Sequence, residues 1–487
     1  MTSSRIQSFS TIPLVVDLDG TLTPTDTLME SLLQFVKRSP LNVLRLLFWL
    51  ALGRAELKER LASEVRLNVE SLPYRSGLLD YLRNEKASGR RLILATAAHR
   101  SIAEAVSAHL GLFDLVLATE RQNNLKGRNK LAAIRERIGE DFCYAGDSRA
   151  DLPVWLAARG AIVVGASESL ARRVASHVQI ERRFDAERRG VSVWARAVRL
   201  HQWLKNMLLF VPLLTAFSFL DTERLSATIL AFFAFSITAS ATYIANDLWD
   251  LDNDRAHPRK KFRPFASGLV SIPCALAVMA IGLVAGFALA ASVSTTFAGL
   301  LLVYLSLTTA YSWALKEYVL LDVLMLSMLY TLRIVAGTVV ADLTISSWLL
   351  AFSVFTFLSL ALVKRCAELR SLEQTGRESA RGRDYRVQDL VVLWPLGVGA
   401  ALAASVVFGM FISAPETQAR YASPQVLWLA AFGLVYWLGR LWIKTSRGEM
   451  HDDPLVYALR DSGSRMTVLS MIAIVLLAHG VDFSFSL

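Results

Sequence analysis

Two carboxylates one residue apart, Asp17 and Asp19 in PLVVDLDGTL, follow an apolar run and precede a turn at Gly20 and Thr21. At the end of an extended strand, residues i and i+2 lie on the same side. One carboxylate can then attack an electrophile while the other protonates the leaving oxygen and later activates water. A second acidic group stands in NDLWDLDNDRAHPRKKFRP, where Asn246, Asp247, Asp250 and Asp254 form NDxxDxxxD after a long apolar run. Steps of three and four residues place Asp247, Asp250 and Asp254 on one helix face, aimed into one cavity. Asp252 falls off that face and is expected in solvent. So much negative charge at the end of an apolar helix calls for a cation, and carboxylates bridged by Mg²⁺ to a diphosphate answer that need.

Elements must bring these residues together. The run before Asp17 reads as a strand, RLILATAAHR as a second strand ending in Thr96, and FCYAGDSRADLPVW as a third ending in Asp147 and Asp151. In an open parallel sheet the strand C-termini converge on one crevice, so the three ends can meet there. Residues 22–90 read as a helical cap. Its run LNVLRLLFWLAL is too short to span a bilayer and is either a cap core or a surface that leans on the membrane. The arginine-rich segment 172–199, interrupted by Gly190, reads as a linker that leads through RLHQWLKN into the second half.

The chain of 487 residues is too long for one ordinary core, and its hydrophobic fraction of 54% is too high for a soluble protein. Charge and apolar residues mix evenly up to about Arg199. From Asn206 onward nine apolar spans are expected, near 206–221, 225–245, 269–290, 294–313, 319–340, 346–363, 390–412, 424–443 and 466–482. Alternation puts the loops 246–268, 314–318, 364–389 and 444–465 on one side. The third of these carries Lys364, Arg365, Arg370, Arg377, Arg381, Arg383 and Arg386, whereas the opposite loops hold only Arg224 and Arg420. By the positive-inside rule the basic side is cytoplasmic. The net charge of +10 is thus accounted for by membrane topology and anionic substrates; no nucleic-acid-binding module is visible. Cys143, Cys274 and Cys366 have no metal spacing and imply no disulfide framework. The N-terminus lacks a long apolar stretch before its first motif, so no cleavable signal peptide is expected and the N-terminus is placed in the cytoplasm.

Residues 11–180 resemble the haloacid dehalogenase superfamily of phosphatases, through DxDGT, a threonine, a lysine and GDxxxD. The resemblance implies Asp17 as nucleophile, Asp19 as acid and base, Thr96 on a phosphate oxygen, and a lysine on the developing charge. Lys130 is the choice for that lysine and Lys126 the competitor. Mg²⁺ is expected on Asp17, the Asp19 backbone carbonyl and Asp147, with Asp151 supporting the site.

Residues from about 195 to 487 resemble the UbiA superfamily of intramembrane prenyltransferases, in which nine helices enclose a lateral cavity and two acidic motifs hold a Mg²⁺-bound diphosphate. The second acidic motif is reduced here to Asp322, in YSWALKEYVLLDVL. HQWLKN, NDLWDLDNDRAHPRKKFRP, YSWALKEYVLLD and VKRCAELRSLEQTG look like one branch, the polyprenyl-phosphate phosphoribosyltransferases. That resemblance implies phosphoribosyl diphosphate as donor and polyprenyl phosphate as acceptor. Asp247, Asp250, Asp254 and Asp322 would carry Mg²⁺. Lys205, Asn246, Lys260, Arg263, Arg333, Lys364 and Arg365 are candidates for binding the substrates' phosphates, and Tyr311 and Lys316 for assisting departure of the diphosphate.

The expected architecture has an α/β Rossmann-like phosphatase domain with a small helical cap over 1–190, and an all-α polytopic membrane domain of about nine helices over 191–487. The expected function is bifunctional, in a bacterial-type inner membrane: transfer of 5-phosphoribose to polyprenyl phosphate, then removal of the 5-phosphate by the tethered soluble domain. Two alternatives stand beside it. A UbiA-type aromatic prenyltransferase would consume prenyl diphosphate and an aromatic acceptor. A membrane scaffold with a non-catalytic soluble domain would show no Mg²⁺-dependent phosphatase activity.

Overall fold

The computed structural model describes residues 11–120, 124–185, 190–376, 383–450 and 453–482. Arg377 and Arg381 of the basic loop lie outside the described residues. The chain divides into two compact units, Met1–Leu200 with Tyr243–Ala280, and His201–Thr242 with Ile281–Leu487.

In the first unit, β1 (Leu14–Val16), β2 (Leu92–His99), β3 (Leu115–Thr119), β4 (Cys143–Gly146), β5 (Gly160–Val164) and β6 (Gln179–Phe184) form one sheet in the order β3-β2-β1-β4-β5-β6. Every neighbouring pair is parallel. The strands LVV, CYAG and GAIVV are buried throughout, as strands covered on both faces must be. Leu14 and Val16 enter one core with Leu94, while Val15 enters the other with Ile93 and Tyr144. Because β1 lies between β2 and β4, the ends carrying Asp17, Thr96 and Asp147 belong to three adjacent strands. β2 runs on to His99 rather than ending at Thr96, and its register against β3 shifts between Ala95 and His99.

The cap is narrower than the sequence suggested. It consists of α1 (Thr27–Arg38), α2 (Asn42–Leu52) and α3 (Arg54–Glu64), packed on Phe35, Trp49, Leu57, Leu61 and Val65. Asp26 caps α1 by accepting the N–H groups of Leu28 and Met29. The next helix, α4 (Ser76–Ala87), belongs to the sheet instead, since Leu78, Leu79, Tyr81 and Leu82 are buried in the sheet core.

The segment 243–280 packs with the sheet domain. Ile244, Leu248, Leu251, Phe265, Ala266, Val270, Ile272 and Ala275 form a cluster with Val193 and Ala197, against which Met29 and Leu33 of α1 pack. A boundary drawn along the sequence near residue 190 therefore differs from the division in space.

Among the described residues, eight helices are long and apolar enough to cross a membrane: Thr222–Trp249, Ile272–Val293, Thr295–Trp313, Leu321–Val340, Ser347–Gln374, Val387–Ile412, Pro424–Ser446 and Ser462–Gly480. The chain is thus an integral membrane protein. The stretch 206–221, expected as a further span, is not one continuous helix but a 3₁₀ segment, Leu200–Phe210, followed by a short helix, Val211–Thr215. Pro212 lies in the first turn of that short helix, where its missing N–H is tolerated, and Phe217 has φ of 56° just beyond it. The two consecutive pieces run antiparallel beside Thr222–Trp249, with Trp203 against Ser240, Asn206 against Ser236 and Phe210 against Phe232, so the stretch follows that helix as a broken segment. Alternation of the remaining eight helices still assigns the four basic-side loops to a common side. The second unit's main core joins Val323 and Ile334 to Phe357, Leu360, Leu393, Trp437, Leu438 and Trp442.

Candidate active sites

The carboxylates at the strand ends of the sheet are held by short local contacts. Leu18 N–H donates to Asp17 Oδ1 at 2.8 Å, and Lys130 Nζ lies 2.9 Å from the same oxygen. Lys130 sits on α5 (Arg128–Arg137), is 3% exposed, and also donates to Tyr144 Oη at 2.9 Å and Asp151 Oδ1 at 3.4 Å. Lys126 is exposed and lines the same cavity, so of the two lysine candidates it is Lys130 that the fold delivers to the carboxylates. Asp151 accepts from Tyr144 O–H at 2.7 Å on one oxygen, and from Ser148 N–H and Oγ–H at 3.1 and 3.0 Å on the other. Both of its oxygens thus serve the chain, a position suited to orienting Lys130 and the turn after β4.

Thr27 N–H donates to Asp19 Oδ1 at 2.8 Å, tying that carboxylate to the first residue of the cap. Thr96 is fully buried, its Oγ accepting Ala98 N–H at 3.0 Å, and Ala97, Ala98 and His99 line the cavity. Gly20 has φ of +80°, and a Cβ there would lie 2.2 Å from Asp147 Oδ2. Only glycine lets this turn approach that carboxylate.

Oxygens of Asp17, Asp147 and Asp151 lie within 4.8 Å of one another, a set of hard anionic donors that suits Mg²⁺. Burial pushes the Asp17 carboxyl up to about 6, against the pull of Lys130. Burial, then the neighbouring Asp26, pushes Asp19 up to about 7. Burial together with Asp151 and Asp17 pushes Asp147 up to about 7. Gathered negative charge of this kind is what a divalent cation relieves. Asp19, more easily protonated near neutrality, suits an acid; Asp17, drawn toward its charged form by Lys130 and the Leu18 N–H, suits a nucleophile.

In the same unit the first acidic motif spans a junction. α6 (Thr222–Trp249) ends just before Asp250, and α7 (Leu251–Ala256) follows. Helical bonds continue across the break, from Asp250 N–H to Asn246 O at 2.9 Å and from Asp254 N–H to Asp250 O at 2.8 Å. Asp247 and Asp254 converge as their spacing predicted, since Arg263 Nη1 lies 3.1 Å from one and 2.6 Å from the other. Arg199 also pairs with Asp247, and Lys260 lies 3.9 Å from Asp254. Asp252, expected in solvent, is paired at 3.3 Å with Lys37 of α1. Arg255 reaches Glu30 of α1 in a buried, two-pronged pair, at 3.1 and 2.6 Å.

The second unit brings together the remaining candidates in three groups. Asp322 is fully buried, accepting Tyr311 O–H at 2.8 Å and lying 2.5 Å from Arg365 Nη2. Arg365 is itself fully buried, pairs with Glu368 and lies over the Tyr385 ring. It is therefore placed to fix Asp322 rather than to meet a substrate directly. Lys205 and Lys364 share Asp453, at 2.7 and 3.4 Å, and Lys205 lies over the Tyr330 ring. Arg333 donates to Asn206 Oδ1 at 2.9 Å, Leu329 O at 2.5 Å and Tyr304 Oη at 3.3 Å, between the rings of Phe235, Tyr304 and Tyr330. Its engagement within the chain makes it an organiser of the helices, not the substrate ligand the sequence suggested. Lys316 is half-buried in the turn after Trp313.

The haloacid dehalogenase-like hydrolase family matches residues 14–155. The UbiA prenyltransferase family matches residues 207–462, more than half of the chain. The chain belongs to the UbiA prenyltransferase family. Among relatives of this UbiA-family protein, y4nM of Sinorhizobium fredii is 40% identical over 93% of this chain and 88% of that protein. The nodulation protein NoeC of Azorhizobium caulinodans is 34% identical over 57% of this chain and 90% of its own length. A decaprenyl-phosphate phosphoribosyltransferase of Mycobacterium tuberculosis is 31% identical over 58% of this chain and 92% of its own length.

Sequence reasoning missed Asp453, Arg199, Tyr144 and the Glu30–Arg255 pair. Asp453 had a readable signal in DDPLVY, an aspartate before a proline where a helix begins between two spans; its side chain indeed caps that helix. Arg199 and the Glu30–Arg255 pair depend on contacts far apart in the chain, and Tyr144 on the packing of Lys130 and Asp151 around one strand; none had a local signal.

Proposed function

We propose that this UbiA-family protein transfers 5-phosphoribose from phosphoribosyl diphosphate to polyprenyl phosphate, and that its phosphatase half then removes the 5-phosphate to leave polyprenyl-phosphoryl-ribose. The observation that carries this reading is the 31% identity over 92% of a protein called decaprenyl-phosphate phosphoribosyltransferase, in a chain that also holds a carboxylate–lysine cluster suited to phosphomonoesters. Basic loops between the spans support a bacterial-type inner membrane with the catalytic loops cytoplasmic.

In the phosphatase step, Asp17 attacks phosphorus, and Asp19 gives its proton to the departing ribose oxygen. Asp19 then takes a proton from water as that water hydrolyses the aspartyl phosphate. Thr96 and Lys130 hold the phosphoryl oxygens, and Asp151 keeps Lys130 in place. Mg²⁺ on Asp17, the Asp19 carbonyl and Asp147 would supply charge neutralisation at the phosphoryl group. In the transferase step, positive charge builds at ribose C1 as the diphosphate leaves, and an oxygen of the lipid phosphate captures that carbon. Asp247, Asp250 and Asp254 would hold Mg²⁺ for the diphosphate, and Asp322, fixed by Tyr311 and Arg365, is the candidate carboxylate of the second acidic motif. Arg263 and Lys260 bind donor phosphate, and Lys205 and Lys364 exchange Asp453 for a substrate phosphate.

The test uses the full-length protein in detergent with Mg²⁺, polyprenyl phosphate and labelled phosphoribosyl diphosphate. Label is expected in the organic phase for the wild type and not for Asp250→Asn. Asp17→Asn is expected to accumulate a lipid that keeps its 5-phosphate. If no lipid is labelled, the transferase assignment fails. If wild type and Asp17→Asn retain the 5-phosphate equally, the coupled phosphatase step fails.

A further inference from the structure

We propose that the cap helix α2 is a lipid seat, along which the hydrocarbon chain of a membrane-borne phosphomonoester lies while its phosphate reaches Asp17. This rests on the phosphatase reading above and adds the part of the substrate that the cap recognises.

The sequence of α2, NVLRLLFWLAL, contains one charge, Arg45, and that guanidinium lies over the Phe35 and Trp49 rings at 5.1 and 5.0 Å. Trp49 is the helix's one buried residue and anchors it to the cap core. The other large side chains form two stripes. Leu44, Phe48 and Leu52 make an outer stripe, 66%, 61% and 52% exposed. Val43, Leu46, Leu47 and Leu50 make an inner stripe that lines a cavity of about 930 Å³ together with Asp17, Asp19, Lys130 and Asp147. Leu47 and Leu50 remain 60% and 50% exposed within it. A helix apolar on every side belongs in an apolar medium, and a contiguous exposed patch of this kind marks a surface with a partner.

Two facts identify that partner as lipid. Ser271 lines the same cavity, and the next residue, Ile272, begins a membrane-spanning helix. The cavity wall thus includes the point where this chain enters the bilayer. The inner stripe also leads to carboxylates suited to phosphoryl chemistry, so its occupant carries both an apolar chain and a phosphate. α2 is too short to span, and with apolar residues on its outer stripe as well it lies in the interface.

The test compares two substrates of the full-length protein in phospholipid nanodiscs: a long-chain prenyl-phosphoryl-5-phosphoribose and soluble p-nitrophenyl phosphate. For the wild type, kcat/KM is expected to favour the prenyl substrate. In Leu47→Asp/Leu50→Asp the ratio of the two kcat/KM values is expected to fall at least about tenfold, chiefly through KM for the prenyl substrate. An unchanged ratio, whether both activities persist or both collapse, overturns the proposal; so does a wild type without the preference. Leu47→Gln alone, judged by the same ratio, serves where the double variant does not fold. If the ratio falls as expected but the lipid that wild type labels from phosphoribosyl diphosphate keeps its 5-phosphate, the lipid seat stands and the coupled step is what fails.

Discussion

Arg255→Met asks whether the phosphatase cap and the first acidic loop behave as one mechanical piece. In the wild type, Glu30 and Arg255 side chains are 2% and 5% exposed and meet in a two-pronged pair. Arg255 Nε also donates to Ala266 O at 3.0 Å, and Thr25 Oγ donates to Glu30 at 2.6 Å. Removing the guanidinium leaves a buried carboxylate supported by that hydroxyl alone. Breaking one side of a buried pair costs about 3–5 kcal/mol. At about 2–4 °C per kcal/mol for a domain of this size, Tm should fall by roughly 6–20 °C. The double variant Glu30→Leu/Arg255→Met removes both charges and should recover most of that loss. Glu30 also lies one turn beyond Thr27, whose N–H holds Asp19, so the single variant should lower phosphatase kcat below its own Tm. Thermal scanning of the detergent-solubilised protein, alongside p-nitrophenyl phosphate turnover, reads both effects. A shift of less than about 2 °C, or a double variant as unstable as the sum of the singles, would refute the claim that this pair ties the cap to the loop.

Three further outcomes are expected. Gly20→Ala places a Cβ 2.2 Å from Asp147 Oδ2 in a left-handed turn, so phosphomonoester hydrolysis should fall at least about a hundredfold while label transfer to lipid persists; an equal loss of both would contradict the separation of the two sites. In the metal-free protein Asp17, Asp19 and Asp147 titrate near 6–7 instead of 3.8, so the folded chain retains protons that the unfolded chain has lost. Their stabilising contribution is complete below about pH 4 and is lost as pH rises to about 7. Thermal scans with EDTA should show Tm declining across that window, and added Mg²⁺ should raise Tm more at pH 8 than at pH 5. Asp453→Asn removes the carboxylate shared by Lys205 and Lys364, and lipid labelling should drop at least about tenfold while p-nitrophenyl phosphate hydrolysis holds; labelling within twofold of wild type would remove Asp453 from the site.

The phosphatase fold was legible because each chemical residue sits at the end of a short apolar run, and strand order then decides which ends are neighbours. Asp17 and Asp147 needed only that local pattern. The choice between Lys126 and Lys130 did not follow from it, because both lie in the same loop-to-helix stretch and only packing decides which faces Asp17. Long apolar runs revealed the eight continuous spans, and at 206–221 hydropathy could not register that the segment is broken where Pro212 starts a new helix. The convergence of Asp247 and Asp254 could be read from helical spacing. Arg333 could be noticed as an intramembrane charge, yet its partners Asn206 and Tyr304 lie far off in sequence, and its role as an organiser was not legible.

The division of the chain in space also sets a schedule for its synthesis. Residues 1–200 leave the ribosome before 243–280 exist, yet Met29, Leu33, Val193 and Ala197 await Ile244, Leu248, Phe265 and Ile272 to complete their cluster. At about 5–20 residues per second, those last pieces arrive roughly 4–16 s later. Through that interval the nascent sheet domain carries an unfinished apolar face. Its maturation is therefore bound to the insertion of the first two membrane helices, and a gene cut near codon 190 would release a permanently unfinished product.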